Sequence, residues 1–213
     1  MANYSFDYGD AHFLCLDSNS YIDPTADGLR SWIEDDLTST DALWKFVVYH
    51  HPAYNVGLEH YAEQHMRVLS PLLEKHGVDI VLHGHEHVYQ RTMPLRFSPS
   101  DATKASAVGE DHRHVPGVFT VDTKFDGHTI TQPDGIIYVT TGAGGKHLYD
   151  RDLDNAPDQW KHPEDDNVAY NARFCSAHHS YTVFDLDGHS MVMRQIDELG
   201  HEIDAITVSK RRA

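Results

Sequence analysis

The sequence predicts an α/β fold, a mixed β-sheet with flanking helices. Two observations lead to this prediction. Apolar strand patterns and helical patterns alternate through residues 4–82, and the clear patterns from residue 135 onward are strands. Alternating strands and helices are typical of a parallel sheet covered by helices, whereas strands joined by tight turns pair antiparallel.

The predicted elements follow from apolar periodicity and turn residues. In chain order they are strands at 4–8 and 12–17, a helix at 25–38, a strand at 45–49, a helix at 62–76, and strands at 78–82, 117–123, 128–131, 135–142, 180–186, 191–196 and 203–208. Leu29, Ile33 and Leu37 repeat at the spacing of one helix face, which predicts the first helix. Thr25 or Asp27 is expected to cap its start.

One domain is expected over residues 1–213, because no internal repeat or domain boundary is visible. Two stretches, near 95–134 and 147–177, are polar and have few apolar anchors. We interpret both as long excursions from the sheet. Pro71 interrupts the second helical pattern and is expected to kink or restart that helix.

Composition excludes several classes of partner. The chain of 213 residues carries a net charge of −16, which argues against nucleic acid or an anionic membrane as its main partner. No apolar run is long enough to cross a bilayer, and the first residues lack a signal-peptide pattern. Cys15 lies in an apolar strand and is expected to be a buried thiol, although a disulfide with Cys175 stays open.

Histidines follow two of the predicted strands directly. His50 comes after the strand at 45–49, and a Gly-His-Glu-His sequence, with His85 and His87, comes after the strand at 78–82. In α/β sheets, sites gather at the carboxyl ends of the strands. Neutral imidazoles there bind Zn²⁺, Fe or Mn²⁺, so the pattern predicts a metal site.

The loop at 53–60 is polar, contains a glycine and is long enough to form a wall of that site. It holds Tyr54, Glu59 and His60. Pro52 precedes it and restricts the backbone of His51, so the loop leaves the strand in a fixed direction.

The motifs resemble those of the calcineurin-like metallophosphoesterases, most closely the purple acid phosphatase branch. The resemblance rests on Val47-Val48-Tyr49-His50, Pro52-Ala53-Tyr54-Asn55 and Gly84-His85-Glu86-His87-Val88-Tyr89-Gln90-Arg91. It extends to the opening strand pair, to the strand and glycine turn at 137–145, and to the C-terminal strands, so it covers nearly the whole chain.

The resemblance implies a two-metal centre for phosphoester hydrolysis, either of phosphomonoesters or of phosphodiesters. By position, His50 and His85 would bind one ion and His87 the other, with Zn, Fe or Mn as the metal. His60 lies where the family often has a histidine that contacts the substrate and takes part in catalysis. Glu59 and Tyr54, on the same loop, are expected to contact the phosphate ester as well.

The family's other ligands come from an earlier half that this chain lacks, including a bridging Asp and a Gly-Asn-His motif. The chain therefore resembles the second half of the family's α/β/β/α sandwich, a truncated form whose site is completed by a missing N-terminal half or by a second chain. The branch is often secreted or periplasmic, which is the compartment that the resemblance implies.

Two alternatives stay open. The chain is either part of a hydrolase or a catalytically incomplete metal-binding or interaction module with the same fold. A mononuclear zinc hydrolase would need an acid/base carboxylate. Glu86 is the nearest candidate, although alternation along the chain turns it away from its two histidine neighbours.

Overall fold

Seven strands form the central sheet of the computed structural model, which describes residues 3–100, 108, 113–149, 153–154, 156–160 and 170–211. The described helices are α1 at Asp27–Ser39 and α2 at Ser70–Lys75. The strands are β1 Tyr4–Tyr8, β2 Ala11–Cys15, β3 Trp44–Val48, β4 Ile80–His83, β5 Tyr89–Thr92, β6 Leu95–Pro99, β7 Gly117–Val121, β8 Ile137–Thr141, β9 Asn171–Cys175, β10 Ser180–Asp187, β11 Ser190–Asp197 and β12 Glu202–Ser209. None of the described helices has the length and apolar character needed to cross a membrane.

The central sheet is mixed, as the sequence predicts. Its strand order is β1-β2-β3-β4-β8-β5-β9. The four strands β2, β3, β4 and β8 run parallel, whereas β1 pairs antiparallel with β2, and β5 pairs antiparallel with β8 and β9. The strands β10, β11 and β12 form a separate antiparallel sheet, and β6 and β7 form a hairpin.

The two faces of the central sheet are buried against different partners. On β3, Val47 belongs to the core that contains Ile33 of α1, whereas its neighbour Phe46 belongs to a second core with Met193 of β11. Side chains alternate between the faces of a strand, so an unbroken apolar run such as β3 is buried on both sides. Helices therefore cover one face, and the C-terminal sheet packs on the other.

The structure confirms most of the predicted elements and corrects others. The strand predicted at 128–131 is wrong, because the Asp126 carboxylate accepts the backbone N–H groups of residues 128–130 and holds them in a turn. The strand β9 lies inside the predicted excursion at 147–177, and β6 lies inside the one at 95–134. Residues 101–107, 109–112, 150–152, 155 and 161–169 of these excursions lie outside the described residues.

The ends of the helices differ from the predicted ends. Ala26 precedes α1 and makes no capping bond with its side chain, whereas the Thr25 hydroxyl donates to Asp23. Neither Thr25 nor Asp27 caps the helix as expected. The helix predicted at 62–76 is a 3₁₀ turn at His65–Leu69 followed by α2, which restarts with Pro71 in its first turn.

The two cysteines are free and lie far apart in the sheet. Cys15 is on the second strand of the order and Cys175 on the seventh. Five strand spacings separate them by about 24 Å, which rules out the disulfide that the sequence left open.

Among the described strands, β1 has a neighbour on one side only, and it exposes three aromatic side chains. Tyr4, Phe6 and Tyr8 are 56%, 47% and 79% exposed. The Phe6 ring stacks on Phe13 of β2, with centroids 5.0 Å apart, so the aromatic surface continues onto the sheet. An apolar edge of this kind is typical of a surface that pairs with another segment.

Candidate metal centre

The parallel strands bring histidines from separate parts of the chain to one edge of the sheet. His50 follows β3, His85 and His87 follow β4, and His147 follows β8. Because parallel strands end at the same edge, residues distant in sequence meet there. The structure thus gathers the three predicted metal ligands at the carboxyl edge.

The backbone at His85 is unusual. Its φ of 64° is the only positive value among the described non-glycine residues. A non-glycine residue in this region stores strain, and such strain persists where the surroundings hold the residue in place. The conformation turns the His85 ring toward His50, with His85 Nδ1 and His50 Nε2 3.0 Å apart.

The spacing of these two nitrogens suits a shared metal ion. Two Zn–N bonds of about 2.0–2.1 Å at a tetrahedral angle would place the nitrogens about 3.3 Å apart. The 3.0 Å between His50 and His85 needs only a small separation to reach that value. The pair therefore fits as two ligands of one ion.

His87 presents a single nitrogen for a ligand. Its Nδ1 lies 2.9 Å from the backbone carbonyl oxygen of His147, so Nδ1–H donates and Nε2 keeps its lone pair. The Tyr149 ring stacks on the imidazole, with centroids 4.1 Å apart. Metal-binding histidines commonly have such a carbonyl partner, so His87 fits as a ligand through Nε2.

The Glu63 carboxylate lies among the histidines, and sequence reasoning missed it. Its Oε1 accepts from His60 Nδ1 at 3.2 Å and pairs with Arg113. Its Oε2 lies 3.3 Å from His85 Nε2 and 3.8 Å from His51 Nε2. No motif marks Glu63, because it lies in an irregular turn that only the tertiary fold brings to the sheet edge.

Electrostatics favour the metal-binding forms of these groups at neutral pH. Burial, together with the nearby His60 and His51, lowers the pKa of His85 to about 4. Burial also lowers the pKa of His51. For Glu63, burial is outweighed by the His60 hydrogen bond and the Arg113 charge, and its pKa is lowered. Neutral imidazoles and an ionised carboxylate are the species that bind metals.

Glu86 fixes the loop that carries His60. It is fully buried, and its Oε2 accepts from Asn55 Nδ2 at 2.6 Å and from the His60 backbone N–H at 3.0 Å. The carboxylate thus supports the loop from within the core. This position does not suit the acid/base role that a mononuclear zinc hydrolase would require of Glu86.

The loop residues predicted to contact substrate divide into two groups. The His60 ring lies over His85, with centroids 3.8 Å apart, and Glu59 is exposed near Tyr149, whose pKa burial and Glu59 raise. The substrate contact predicted for Tyr54 is wrong. Tyr54 is fully buried in the core, and its hydroxyl lies 2.7 Å from Ser70 Oγ, so it supports the loop without facing the site.

Three candidate ligands lie close enough together to share one ion. Within the described part of the chain, the only group of three or more His, Cys, Asp or Glu that could hold one ion is His51, Glu63 and His85. His50 and His87 are outside that group. The pair His50–His85 and the separate His87 thus need further ligands to hold ions at the predicted positions.

The fold and the cluster together define a class, an α/β domain that can bind metal at the carboxyl edge of its sheet. Residues 2–89 match the family model of the calcineurin-like phosphoesterases. Purple acid phosphatase 18 of Arabidopsis thaliana is 36% identical over 103 residues, which are 46% of this chain and 23% of that relative. The resemblance seen in the sequence is confirmed.

Solved structures support the same fold. A purple acid phosphatase from yellow lupin (Lupinus luteus) seeds superposes with a TM-score of 0.68 at 18% identity, over 97% of this chain and 32% of that one. GAP50, the anchor in the inner membrane complex of Plasmodium, superposes with a TM-score of 0.56 at 14% identity, over 99% and 54%. The chain thus spans about a fifth to a half of the proteins that it matches.

Proposed function

We propose that this chain forms one wall of a two-metal centre that hydrolyses phosphate esters. His50 Nε2 and His85 Nδ1 would hold one ion, and His87 Nε2 the other. The observation that carries the proposal is the convergence of the first two nitrogens to 3.0 Å, at the sheet edge where His87 also lies. Zn, Fe or Mn ions suit these imidazole donors.

Bound metal ions would polarise the phosphoryl group and supply a nucleophile from water at neutral pH. The chain's own contribution to proton transfer would come from His60. Its Nδ1–H donates to Glu63 Oε1 at 3.2 Å, so a doubly protonated His60 would give its Nε2 proton to the leaving oxygen and become neutral. Glu59, exposed on the same loop, would border the substrate at the rim.

The remaining ligands would come from outside this chain, either from a missing N-terminal half or from a second chain. Three neutral imidazoles do not offset the repulsion between two close dications, which anionic bridging ligands normally reduce. The aromatic edge strand β1 supports the same view, because Tyr4, Phe6 and Tyr8 form a surface suited to a covering segment.

Binding of inorganic phosphate tests the proposal on the chain as it exists. Isothermal titration with and without Zn²⁺ or Mn²⁺ should give phosphate binding only with metal. The variants His87→Ala and His60→Ala should weaken that binding, whereas His128→Ala, at an exposed position in the turn held by Asp126, should not. Phosphate binding that needs neither metal nor these histidines would contradict the proposal.

The second candidate is a metal-binding or interaction module without catalysis. The positions of the ligand atoms favour it, because in the described part of the chain neither His50 nor His87 belongs to a group of three residues that could hold one ion. The fold alone does not imply catalysis, since a protein described as an anchor shares it. Phosphate binding separates the two: metal-dependent binding of phosphate supports the hydrolase, and metal binding without phosphate binding supports the module.

A further inference from the structure

We propose that His51, Glu63 and His85 form a cation site that is complete within this chain and separate from the two-metal arrangement. The site takes a divalent cation of the zinc type. It uses His51 and Glu63, which the family resemblance does not assign, and the other nitrogen of His85. The proposal does not depend on phosphoester hydrolysis.

The three donor atoms already have the spacing of a metal site. Glu63 Oε2 lies 3.3 Å from His85 Nε2 and 3.8 Å from His51 Nε2, and all three atoms lie within 4.8 Å of one another. Tetrahedral zinc with bonds of about 2.0–2.2 Å needs donor separations of about 3.3–3.5 Å. Small side-chain rotations suffice to close the remaining gap at His51.

The chemistry of the donors also fits. Two histidines and one glutamate are a ligand set used by zinc sites that keep an open fourth position. The side chains of His51, Glu63 and His85 are 14%, 17% and 22% exposed, so solvent reaches the site although each donor is largely buried. Glu63 supplies the negative charge that an all-imidazole site lacks.

Hydrogen bonds and an ion pair from neighbouring residues orient two of the donors, His51 and Glu63. His51 Nδ1 lies 2.9 Å from Ser18 Oγ, and the backbone N–H groups of His50 and His51 donate to the same oxygen. Glu63 Oε1 is bonded by His60 and Arg113, which leaves Oε2 facing the two imidazoles. Such supporting contacts orient ligands and typically contribute roughly 10–100-fold to metal affinity.

The proposed site and the two-metal arrangement compete for His85. Its Nδ1 faces His50 at 3.0 Å, whereas its Nε2 faces Glu63 at 3.3 Å. A neutral imidazole has one lone pair for a metal, so His85 serves one arrangement at a time. In this chain alone the Glu63 carboxylate favours the arrangement that uses His85 Nε2. A cation bound by Glu63 and His85 Nε2 would keep His85 Nδ1 from sharing an ion with His50.

Zinc titration of the chain tests the site. The wild type should bind one Zn²⁺ tightly. Glu63→Gln should weaken Zn²⁺ binding by at least about 10-fold, because the loss of a residue that only supports a ligand already lowers metal affinity by about that factor. His51→Gln should do the same, which covers the case in which one variant folds poorly. The matched control Glu34→Gln, in α1, where the carboxylate pairs with Lys75, should bind like the wild type.

The visible spectrum of the Co²⁺-loaded chain gives a second readout that loss of stability would not mimic. Folded Glu63→Gln should lose the absorption of a low-coordinate cobalt ion that the wild type shows. Two results would overturn the inference: no Zn²⁺ bound by the wild type, or binding lost in His50→Ala and kept in Glu63→Gln. The second result would favour the two-metal arrangement instead.

Discussion

At the scale of residues, Gly142 sets how closely β8 approaches the turn that carries the histidines. A Cβ at this position would lie 1.9 Å from the backbone carbonyl oxygen of Glu86. Backbone cannot move aside as a flexible side chain can. Gly142 therefore fixes the position of the turn between His85 and His87.

Gly142→Ala should reduce the free energy of unfolding by about 1–3 kcal/mol or more, the range for overpacking a tight site. Gly144→Ala is the matched control, because a Cβ there meets nothing within 4 Å. Urea unfolding of both variants checks the prediction. Equal stability of the two would show that the close approach at Gly142 does not constrain the turn.

The sequence predicted part of this edge and missed the rest for a physical reason. His50, His85 and His87 each follow an apolar strand, and strand ends in a parallel sheet meet, so their proximity could be predicted. Glu63 lies outside any regular element, and its contact with His85 depends on the course of an irregular loop. Tyr54 was assigned to the same wall, yet its ring packs into the core.

At the scale of elements, a buried ion pair joins the two sheets. Arg91 of β5 bonds Asp204 of β12 through Nε at 2.7 Å, and each side chain is only 10% exposed. The Tyr89 hydroxyl donates to the same carboxylate at 2.6 Å. The pair therefore fixes the C-terminal sheet on the central sheet.

Asp204→Ala should lower the free energy of unfolding by about 3–5 kcal/mol, because it leaves Arg91 buried without its partner. The matched control is Asp185→Ala, which breaks a pair with Arg194 whose side chains are 59% and 40% exposed. An exposed pair contributes about 0–1 kcal/mol. Thermal or urea unfolding that gave equal losses would contradict the structural role of the buried pair.

The same pair predicts a dependence on pH. Burial of Asp204 is outweighed by the bonds and charge of Arg91, and the pKa of this carboxyl is lowered. Its contribution is thus present above the usual aspartate pKa of about 3.9 and is lost as the pH falls through the lower folded value. The stability difference between wild type and Asp204→Ala should therefore shrink below about pH 4, as measured by urea unfolding across pH.

Local patterns explain which strands the sequence predicted. The strands β3, β4 and β8 are apolar runs buried on both faces, which gives a strong signal. The strand β9 contains Asn171 and Arg173 and lies at the far edge of the sheet, so its pairing with β5 comes from the tertiary fold. The helices were predicted from one-sided apolar periodicity, but the cap predicted for α1 is wrong.

At the scale of the whole molecule, the described part of the chain brings one group of candidate ligands close enough to share an ion. Its sheet matches the fold of larger metallophosphoesterase relatives, and one edge of that sheet exposes aromatic side chains. Three of the proposed ligands reach the same edge as Glu63. Under the proposed function, the anionic ligands would come from a second segment.

Hydrolysis of p-nitrophenyl phosphate by the purified chain alone, supplied with Zn²⁺, Mn²⁺ or Fe, tests this division of the site most directly. The wild type should show no more turnover than its His50→Ala variant, because the proposed function takes the anionic ligands of the two ions from a second segment. Metal-dependent turnover typical of intact phosphatases, abolished by His50→Ala, would show that this chain holds the complete centre.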